Sequence, residues 1–382
     1  MNALTKGWCP SLYEPMLAGD GFLVRVKPRV AGISAVQLRV VAKAAAEYGS
    51  GRIEITNRAN LQIRGLTVAA AHRFAETMRD AGLASADPAA ERRRNIAVEI
   101  SDDPALLTIA QQLEDWLEQD AALSELPAKF GFYVGNGAGH ADINLRPAPS
   151  LAALPGSGLA ASGAVLPAAQ ALTHAFLRLA KILTPPPSRM SALIKTVGAA
   201  KIFAEAGLAT TACEPAAAAP QEAGLFPPFG AMDAAMLGHG ADLAARFGNG
   251  WIKPTTERSL VLLNSNAAAW QAEAARYGFI TDPADPRLRI AACAGTACPN
   301  GLADVRQIAA HLAPSWTGTG ILHVSGCAKG CAHPRAAAMT LIARETNFDV
   351  VLNGSSASLP TQSGITVPAL IQMLKQQSLN HE

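Results

Sequence analysis

Two closely spaced pairs of cysteines are the residues whose types and spacing most clearly predict chemistry. Cys293 and Cys298 lie five positions apart in IAACAGTACPNG, and Cys327 and Cys331 lie four positions apart in VSGCAKGCAHP. Thiolates bind soft metal centres, so the set predicts zinc or an iron–sulfur cluster. Structural zinc sites often use pairs with two intervening residues, a spacing that neither pair has. We therefore predict a cluster, with zinc or inert buried thiols as the alternatives.

The residues around these cysteines support a metal site. Glycines permit close approach of the backbone, so N–H groups could point at cluster sulfurs; they are Gly295, Gly326 and Gly330. Residues 321–324 predict a short buried strand, which places Cys327 in the loop at its end. Cys9 and Cys213 stand alone and are interpreted as buried or incidental.

An internal repeat predicts the scaffold. Residues 38–66 and 236–263 each contain an Ala-rich helical stretch, a Gly-x-Gly turn and a strand with a Thr and an Arg. Glycine supplies the positive φ angles that such a helix-to-strand turn requires. Gly49, Thr56 and Leu61 match Gly248, Thr255 and Leu260, whereas Arg58 meets Arg258 only after a one-residue slip. We predict a true duplication over two unrelated units.

A second unit follows each repeat, with a helix predicted around 105–117 and a strand around 129–134 in the first. Residues 147–173 are uncharged but interrupted by prolines and glycines, so they predict a flexible linker and not a membrane span. A second connector is predicted around 214–224. The mixture favours an α+β fold, with predicted units 1–75, 85–150, a helical or linker segment 151–220, 221–280 and 285–375.

The composition excludes several classes. Of 382 residues, 49% are hydrophobic and 16% charged, which is typical of a globular, multi-domain chain. The formal net charge of +2 gives no reason to expect nucleic-acid binding. MNALTKGWCPSLYEPM lacks the apolar stretch of a secretory signal. Few cysteines, clustered as a metal or redox site, indicate a reducing compartment, so we expect the cytoplasm and no membrane partner.

Four segments resemble the nitrite and sulfite reductase superfamily over nearly the whole chain. They are CPSLYEPMLAGDGFLVRV, EITNRANLQIRGL, LPAKFGFYV and HVSGCAKGCAHP. The last looks like the superfamily's oxygen-dependent branch, the precorrin-3B synthase family. The resemblance implies two ferredoxin-like half-domains and two reductase-type α/β domains, related by a pseudo-twofold axis. It also implies a [4Fe–4S] cluster on Cys293, Cys298, Cys327 and Cys331, although the family's first pair usually has one residue more between its cysteines.

The activity that this resemblance implies is a monooxygenase reaction of aerobic cobalamin biosynthesis. Precorrin-3A would be hydroxylated at C20 with one atom of O2 and closed to a γ-lactone, which gives precorrin-3B. Electrons would come from NADH, and because GNGAGH lacks the helix and acidic partner of a dinucleotide fingerprint, we expect a separate reductase. A siroheme-dependent nitrite or sulfite reductase is the alternative enzyme. An electron carrier and a zinc-stabilised binding module are the non-catalytic alternatives.

Tetrapyrroles of this kind carry many carboxylates, which arginine binds with two parallel hydrogen bonds. The predicted substrate-binding residues are Arg58, Asn60, Arg64, Arg94, Arg258 and Arg335, and the predicted catalytic cations are Lys129 and Lys329. A solvated strand face would show the same pattern, and Arg92 and Arg93 are interpreted as a solvated charge run. The family is also credited with a mononuclear non-haem iron, whose candidate ligands are His140, Asp142, His323 and His333.

Overall fold

The structure is a computed structural model that describes residues 10–101, 103–139, 141–217 and 223–379. The first unit contains β1 (Met16–Ala18), β2 (Gly21–Val26), β3 (Ile33–Ser34), α1 (Ala35–Tyr48), β4 (Arg52–Ile55), β5 (Leu61–Leu66) and α2 (Val68–Asp80). The next contains α3 (Pro88–Arg93), β6 (Ile96–Val98), α4 (Pro104–Gln119), β7 (Phe132–Val134), β8 (Ile143–Arg146), β9 (Leu151–Leu154), β10 (Leu159–Ser162), α5 (Val165–Lys181), α6 (Met190–Val197), α7 (Ala199–Glu205) and β11 (Thr211–Ala212).

The second half repeats this order. Its first unit contains β12 (Ala231–Asp233), α8 (Ala234–Phe247), β13 (Trp251–Pro254), β14 (Leu260–Leu262) and α9 (Ala267–Arg276). Its second unit contains β15 (Ile290–Ala292), α10 (Val305–Leu312), β16 (Leu322–Ser325), β17 (Ala337–Ala343), β18 (Phe348–Gly354), β19 (Gln362–Ile365) and α11 (Val367–Leu379). Within the described part of the chain, no helix combines the length and apolarity needed to cross a membrane.

The predicted duplication is confirmed, hydrogen bond by hydrogen bond, at a constant offset of 199 positions. The Gly49 N–H donates to the Ala45 carbonyl at 3.1 Å, and the Gly248 N–H donates to the Ala244 carbonyl at 3.1 Å. The units also exchange strands. Their sheets have the orders β1-β2-β5-β4-β12 and β14-β13-β3. The short strand before the long helix of each unit, β3 or β12, therefore joins the edge of the other unit's sheet. Helices α1 and α8 contribute to one shared hydrophobic core. This exchange produces the pseudo-twofold architecture.

The one-residue slip predicted between the repeat strands is wrong. The turns before β5 and β14 are equivalent, because the N–H of Thr56 donates to Asn60 and that of Thr255 donates to Ser259, each at 2.9 Å. Positive φ angles of 56° and 63° fall at Ala59 and Arg258. Arg58 is therefore equivalent to Glu257, so the two arginines occupy different places.

The two remaining units share one strand pattern. Their sheets have the orders β11-β10-β9-β8-β7-β6 and β15-β16-β17-β18-β19. In the first, β6, β7 and β8 are parallel and β9 is antiparallel to β8; β15, β16, β17 and β18 repeat this arrangement. Each sheet has its own buried core. The mixture of exchanged antiparallel sheets and these mixed sheets confirms the predicted α+β class.

The flexible linker predicted for residues 147–173 is wrong. This stretch contains the β9–β10 hairpin, followed by the start of α5. Ala152 and Ala160 are fully buried in the sheet, and Gly156 and Gly158 have φ angles of 77° and 70° in the connecting turn. Small side chains pack inside this sheet, so a composition that resembles a linker here forms regular structure. The predicted connector 214–224 lies partly outside the described residues.

Candidate functional site

The two cysteine loops leave the same edge of the last sheet. Cys293 directly follows β15, and Cys327 follows β16, its parallel neighbour. Loops at the carboxyl ends of adjacent parallel strands converge. The Sγ atom of Cys293 accepts hydrogen bonds from the N–H of Gly326 in the other loop, at 3.2 Å, and from that of Gly295, at 3.5 Å. Backbone donors that point at a cysteine sulfur are the arrangement expected around a thiolate.

Glycines allow these loops to touch. A Cβ atom on Gly326 would lie 3.3 Å from the Cα of Gly295 and 3.4 Å from that of Gly301. A Cβ atom on Gly301 would lie only 1.9 Å from the carbonyl oxygen of Gly295. The Gly295 backbone has a φ of 57°, a left-handed conformation that favours glycine. Of these, Gly301 was not predicted, because PNG by itself indicates only a turn.

All four predicted ligands are free thiols. Partial burial is the largest factor that raises the pKa of Cys331; Lys329 opposes it, and Cys293, Cys327 and Cys298 reinforce it. The other three cysteines therefore lie within electrostatic reach of Cys331. Among the described residues, no three His, Cys, Asp or Glu side chains lie close enough to hold one ion as they stand. Four thiols are a soft donor set of the kind that both zinc and iron–sulfur clusters use.

The first cysteine loop is anchored by the first unit, residues 16–80. Arg64 on β5 donates two hydrogen bonds of 2.9 Å to the carboxylate of Asp20 and one of 2.8 Å to the carbonyl of Ala297. A Cβ atom on Gly19 would lie 2.7 Å from the backbone nitrogen of Pro299. Arg64 is only 4% exposed. Its predicted contact with substrate is thus corrected: the guanidinium is engaged by Asp20 and the loop.

The second cysteine loop contacts the other repeat. Arg258 donates a hydrogen bond of 3.3 Å to the carbonyl of Ala332, the residue after Cys331. Lys329 and Arg335 lie exposed in the same loop. Arg258, Lys329 and Arg335 are therefore gathered around the second cysteine pair, whereas the other predicted cations lie elsewhere.

A narrow cationic cleft of about 10 Å³ contains two of the predicted substrate residues, Arg58 and Asn60. Its remaining walls come from Pro10, Ser11, Arg25, Lys27, Arg92, Asn95 and Ala128. Lys129 follows Ala128 and is half-buried beside it. This volume holds about one water molecule and is far below that of typical small-molecule pockets, so the cleft could meet a single terminal group of a ligand but not a whole macrocycle. Arg25 and Lys27 were not predicted from the sequence. They lie two positions apart at the end of β2, so their side chains share one face of the strand, and Arg25 pairs with Gln62 of β5.

The prediction that Arg94 binds substrate is wrong. Its side chain is 1% exposed and lies between the carboxylates of Glu91 and Glu114, each 2.9 Å away. It also donates to the carbonyl oxygens of Lys27 and Pro28, at 2.7 and 2.9 Å. Arg94 therefore joins the first ferredoxin-like unit to α3 and α4, and it has no face open to a ligand.

A chain of polar side chains connects the cleft with the cysteine loops. Arg25 donates to Gln62 at 3.0 Å, and Gln62 donates to Glu54 at 2.7 Å. Glu54 pairs with Arg306, on the helix after the first cysteine loop, and with Arg64 at 3.7 Å. Burial by itself would raise the pKa of Glu54, but Arg306 and Arg64 outweigh it and lower the pKa. The cleft is thus linked to the helix after the first cysteine loop through the polar contacts of Arg25, Gln62 and Glu54.

The candidate ligands of a mononuclear iron are not brought together. His140 lies outside the described residues. Asp142 is buried, pairs with Arg189 at 2.9 Å and accepts from the N–H of Met190 at 2.7 Å, so its predicted role as a ligand is corrected to a structural one. His323 is fully buried with both ring nitrogens unpartnered, and burial, then His333, lowers its pKa to about 4. The His323 and His333 rings lie 5.9 Å apart.

Several known proteins are similar to this chain in sequence or fold. Residues 14–81 match the family described as the nitrite/sulfite reductase ferredoxin-like half domain. A precorrin-3B synthase of a Sinorhizobium species is 30% identical over 94% of this chain and 85% of that protein. A ferredoxin–nitrite reductase of Synechococcus elongatus is 29% identical over 154 residues, which are 36% of this chain and 29% of that protein. The structure of the Mycobacterium tuberculosis NirA protein has a TM-score of 0.68 at 18% identity and covers 94% of this chain and 80% of that one.

The fold is therefore that of the nitrite/sulfite reductases, with a duplicated ferredoxin-like scaffold. Within that class, the full-length similarity shows that this chain belongs to the precorrin-3B synthase family. It is an oxidoreductase.

Proposed function

We propose that this enzyme converts precorrin-3A to precorrin-3B by an oxygen-dependent monooxygenase reaction in aerobic cobalamin biosynthesis. One atom of O2 hydroxylates C20, an acetate side chain closes the γ-lactone, and the second oxygen atom leaves as water with two electrons and two protons. The observation that supports the proposal is that the two cysteine loops converge at one sheet edge and are linked through polar side chains to a cationic cleft, in a chain of this family.

Cys293, Cys298, Cys327 and Cys331 are the residues that would hold a [4Fe–4S] cluster. When bound, such a cluster supplies single electrons at a potential set by its hydrogen bonds and charge. The Gly326 N–H already points at the Cys293 sulfur, and the Lys329 ammonium lowers the pKa of Cys331 against the larger effect of burial. The first feature favours the thiolate form that iron requires, whereas burial keeps the pKa of Cys331 raised overall.

The cleft would bind carboxylates of the tetrapyrrole. Arg25, Arg58 and Arg92 supply positive charge, and Asn60 supplies an amide group. The Lys27 ammonium and the Asn95 amide line the cleft but donate to backbone carbonyls. An arginine fork matches a carboxylate with two hydrogen bonds, which fixes the orientation of the ligand as well as its affinity. We propose that Lys129 at the cleft and Lys329 at the cysteine loop are the catalytic cations. Arg258 and Arg335 would bind further acidic groups near the second loop.

The electron source is proposed to be NADH acting through a separate reductase, in the cytoplasm. A mononuclear iron is not part of the proposal, because Asp142 is occupied by Arg189 and His323 and His333 gather no third ligand among the described residues. The chain's own contribution is therefore to bind and orient the macrocycle, and to hold charge beside it.

The test is a reaction under isotopically labelled O2 with anaerobically purified, reconstituted protein, precorrin-3A and a reducing system. We expect one labelled oxygen atom in the product and no turnover without O2. Arg58→Ala should retain the cluster spectrum but bind precorrin-3A more weakly, whereas Arg52→Ala, an exposed arginine on β4, serves as the matched control. Siroheme absorption bands with reduction of nitrite or sulfite in the absence of O2 would establish the reductase instead.

A further inference from the structure

Cys298 is connected to the first ferredoxin-like unit through its preceding residue. The carbonyl of Ala297 accepts a hydrogen bond of 2.8 Å from Arg64. Arg64 is held by two hydrogen bonds of 2.9 Å from its guanidinium to Asp20. Because Arg64 is only 4% exposed, water cannot readily replace this contact.

The turn between β1 and β2 reinforces the same contact. Asp20 lies in that turn, and the neighbouring Gly19 leaves no room for a side chain against Pro299, since a Cβ atom would lie 2.7 Å from the Pro299 nitrogen. Burial by itself would lower the pKa of Arg64, but Asp20, Glu54 and Cys298 outweigh it and raise the pKa. The guanidinium is thus a permanent cation beside the Cys298 loop.

We propose that Arg64 and Asp20 form a positioning pair that holds the Cys298 loop on the N-terminal ferredoxin-like unit, so that this unit sets the ligand geometry and the potential of the metal centre. The pair does not contact substrate. Its equivalent position in the second repeat is Leu263, so the anchor belongs to one half of the duplicated scaffold. The second repeat instead holds the other loop through Arg258 and Ala332.

The inference is tested first on the apo-protein, by the rate of Cys298 alkylation with iodoacetamide relative to Cys327 in the same chain. Measured at about pH 10, where both thiols are ionised and loss of the cation does not change the thiolate fraction, Arg64→Met should raise this ratio roughly tenfold, the factor for one lost hydrogen bond of about 1.4 kcal/mol. Arg64→Lys, which keeps the charge and one donor, should give an intermediate ratio. The matched control is Arg39→Met, which removes an exposed arginine with two hydrogen bonds to Asp242, and it should change nothing.

The reconstituted protein provides the second readout. Loss of the buried cation should lower the midpoint potential in Arg64→Met while the affinity for precorrin-3A stays within twofold of the wild type. An unchanged alkylation ratio in Arg64→Met, an equal rise in the control, or an intact potential with weakened precorrin binding would each overturn the inference. If Arg64→Met does not fold, Arg64→Lys and Asp20→Asn decide it. A wild-type chain that takes up no cluster would refute the proposed function, while the alkylation ratio still tests this inference.

Discussion

Replacing Arg94 by methionine distinguishes a structural arginine from a substrate-binding one. The guanidinium is buried between Glu91 and Glu114, so Arg94→Met leaves two buried carboxylates without their cation. Breaking a buried ion pair by removing one partner costs about 3–5 kcal/mol. The carbonyls of Lys27 and Pro28 also lose a donor. Since whole proteins are stable by about 5–15 kcal/mol, the variant should be severely destabilised.

The assay is urea unfolding of the apo-protein, followed by far-ultraviolet circular dichroism. Burial raises the pKa of Glu114, against the opposing charge of Arg94, so Arg94→Met combined with Glu114→Gln should recover part of the lost stability. The neighbouring Arg92 is the matched control, because its side chain is 38% exposed and its ion-pair distance to Glu14 is 3.9 Å. Arg92→Met should cost less than about 1 kcal/mol but weaken binding of precorrin-3A.

A stable Arg94→Met variant with weakened substrate binding would refute this reasoning. It would mean that the guanidinium leaves its carboxylates when the ligand arrives. Equal destabilisation by Arg92→Met would show that the method does not separate the two positions.

Three further predictions concern the cleft, the loops and a buried histidine. Arg58→Ala should weaken precorrin-3A binding by about 1.5–3 kcal/mol, measured by tryptophan fluorescence titration, and a value equal to that of Arg52→Ala would contradict the cleft. Gly301→Ala should prevent cluster uptake, because its Cβ would lie 1.9 Å from a carbonyl oxygen, whereas Gly238→Ala meets nothing within 4 Å and should retain the cluster spectrum. Folding lowers the pKa of His323 from 6.5 to about 4. As the pH falls between these values, the histidine is protonated in the unfolded chain but not in the folded protein. The free energy of unfolding should therefore decline by about 3 kcal/mol through that window. Urea unfolding of the apo-protein at several pH values should show this decline in the wild type and not in His323→Phe. Identical pH profiles for the two proteins would contradict the prediction.

The cysteine loops could be predicted from sequence because their chemistry is local. Each pair lies within one short segment, and the strand before Cys327 has a clear apolar pattern. The repeat was equally visible, since glycines at fixed positions mark its turns. Only the register of Arg58 and Arg258 was mistaken, because both residues are arginines while the backbone aligns Ala59 with Arg258.

The roles of the arginines could not be predicted in the same way. Whether an arginine meets a ligand or a carboxylate depends on partners far along the chain, such as Asp20 for Arg64 and Glu114 for Arg94. The alternating pattern of a strand does not contain that information. The cleft was missed in part for the same reason, since Lys27 and Asn95 meet only after two units pack together.

The hairpin β9–β10 shows the limit of composition. Alanine and glycine are typical of linkers, but Ala152 and Ala161 are buried in this sheet, in one core with larger side chains from α5. Packing against a neighbouring helix, and not local propensity, gives this segment its structure.

The central claim is that four cysteines of the second half hold one iron–sulfur centre. Iron and acid-labile sulfide counts on the anaerobically reconstituted protein, taken together with its absorption spectrum, test this most directly. About four iron and four sulfide per chain are predicted for the wild type and for Cys213→Ser, with loss of both in Cys331→Ser. Zinc without sulfide, or an unchanged iron and sulfide count in Cys331→Ser, would contradict the account.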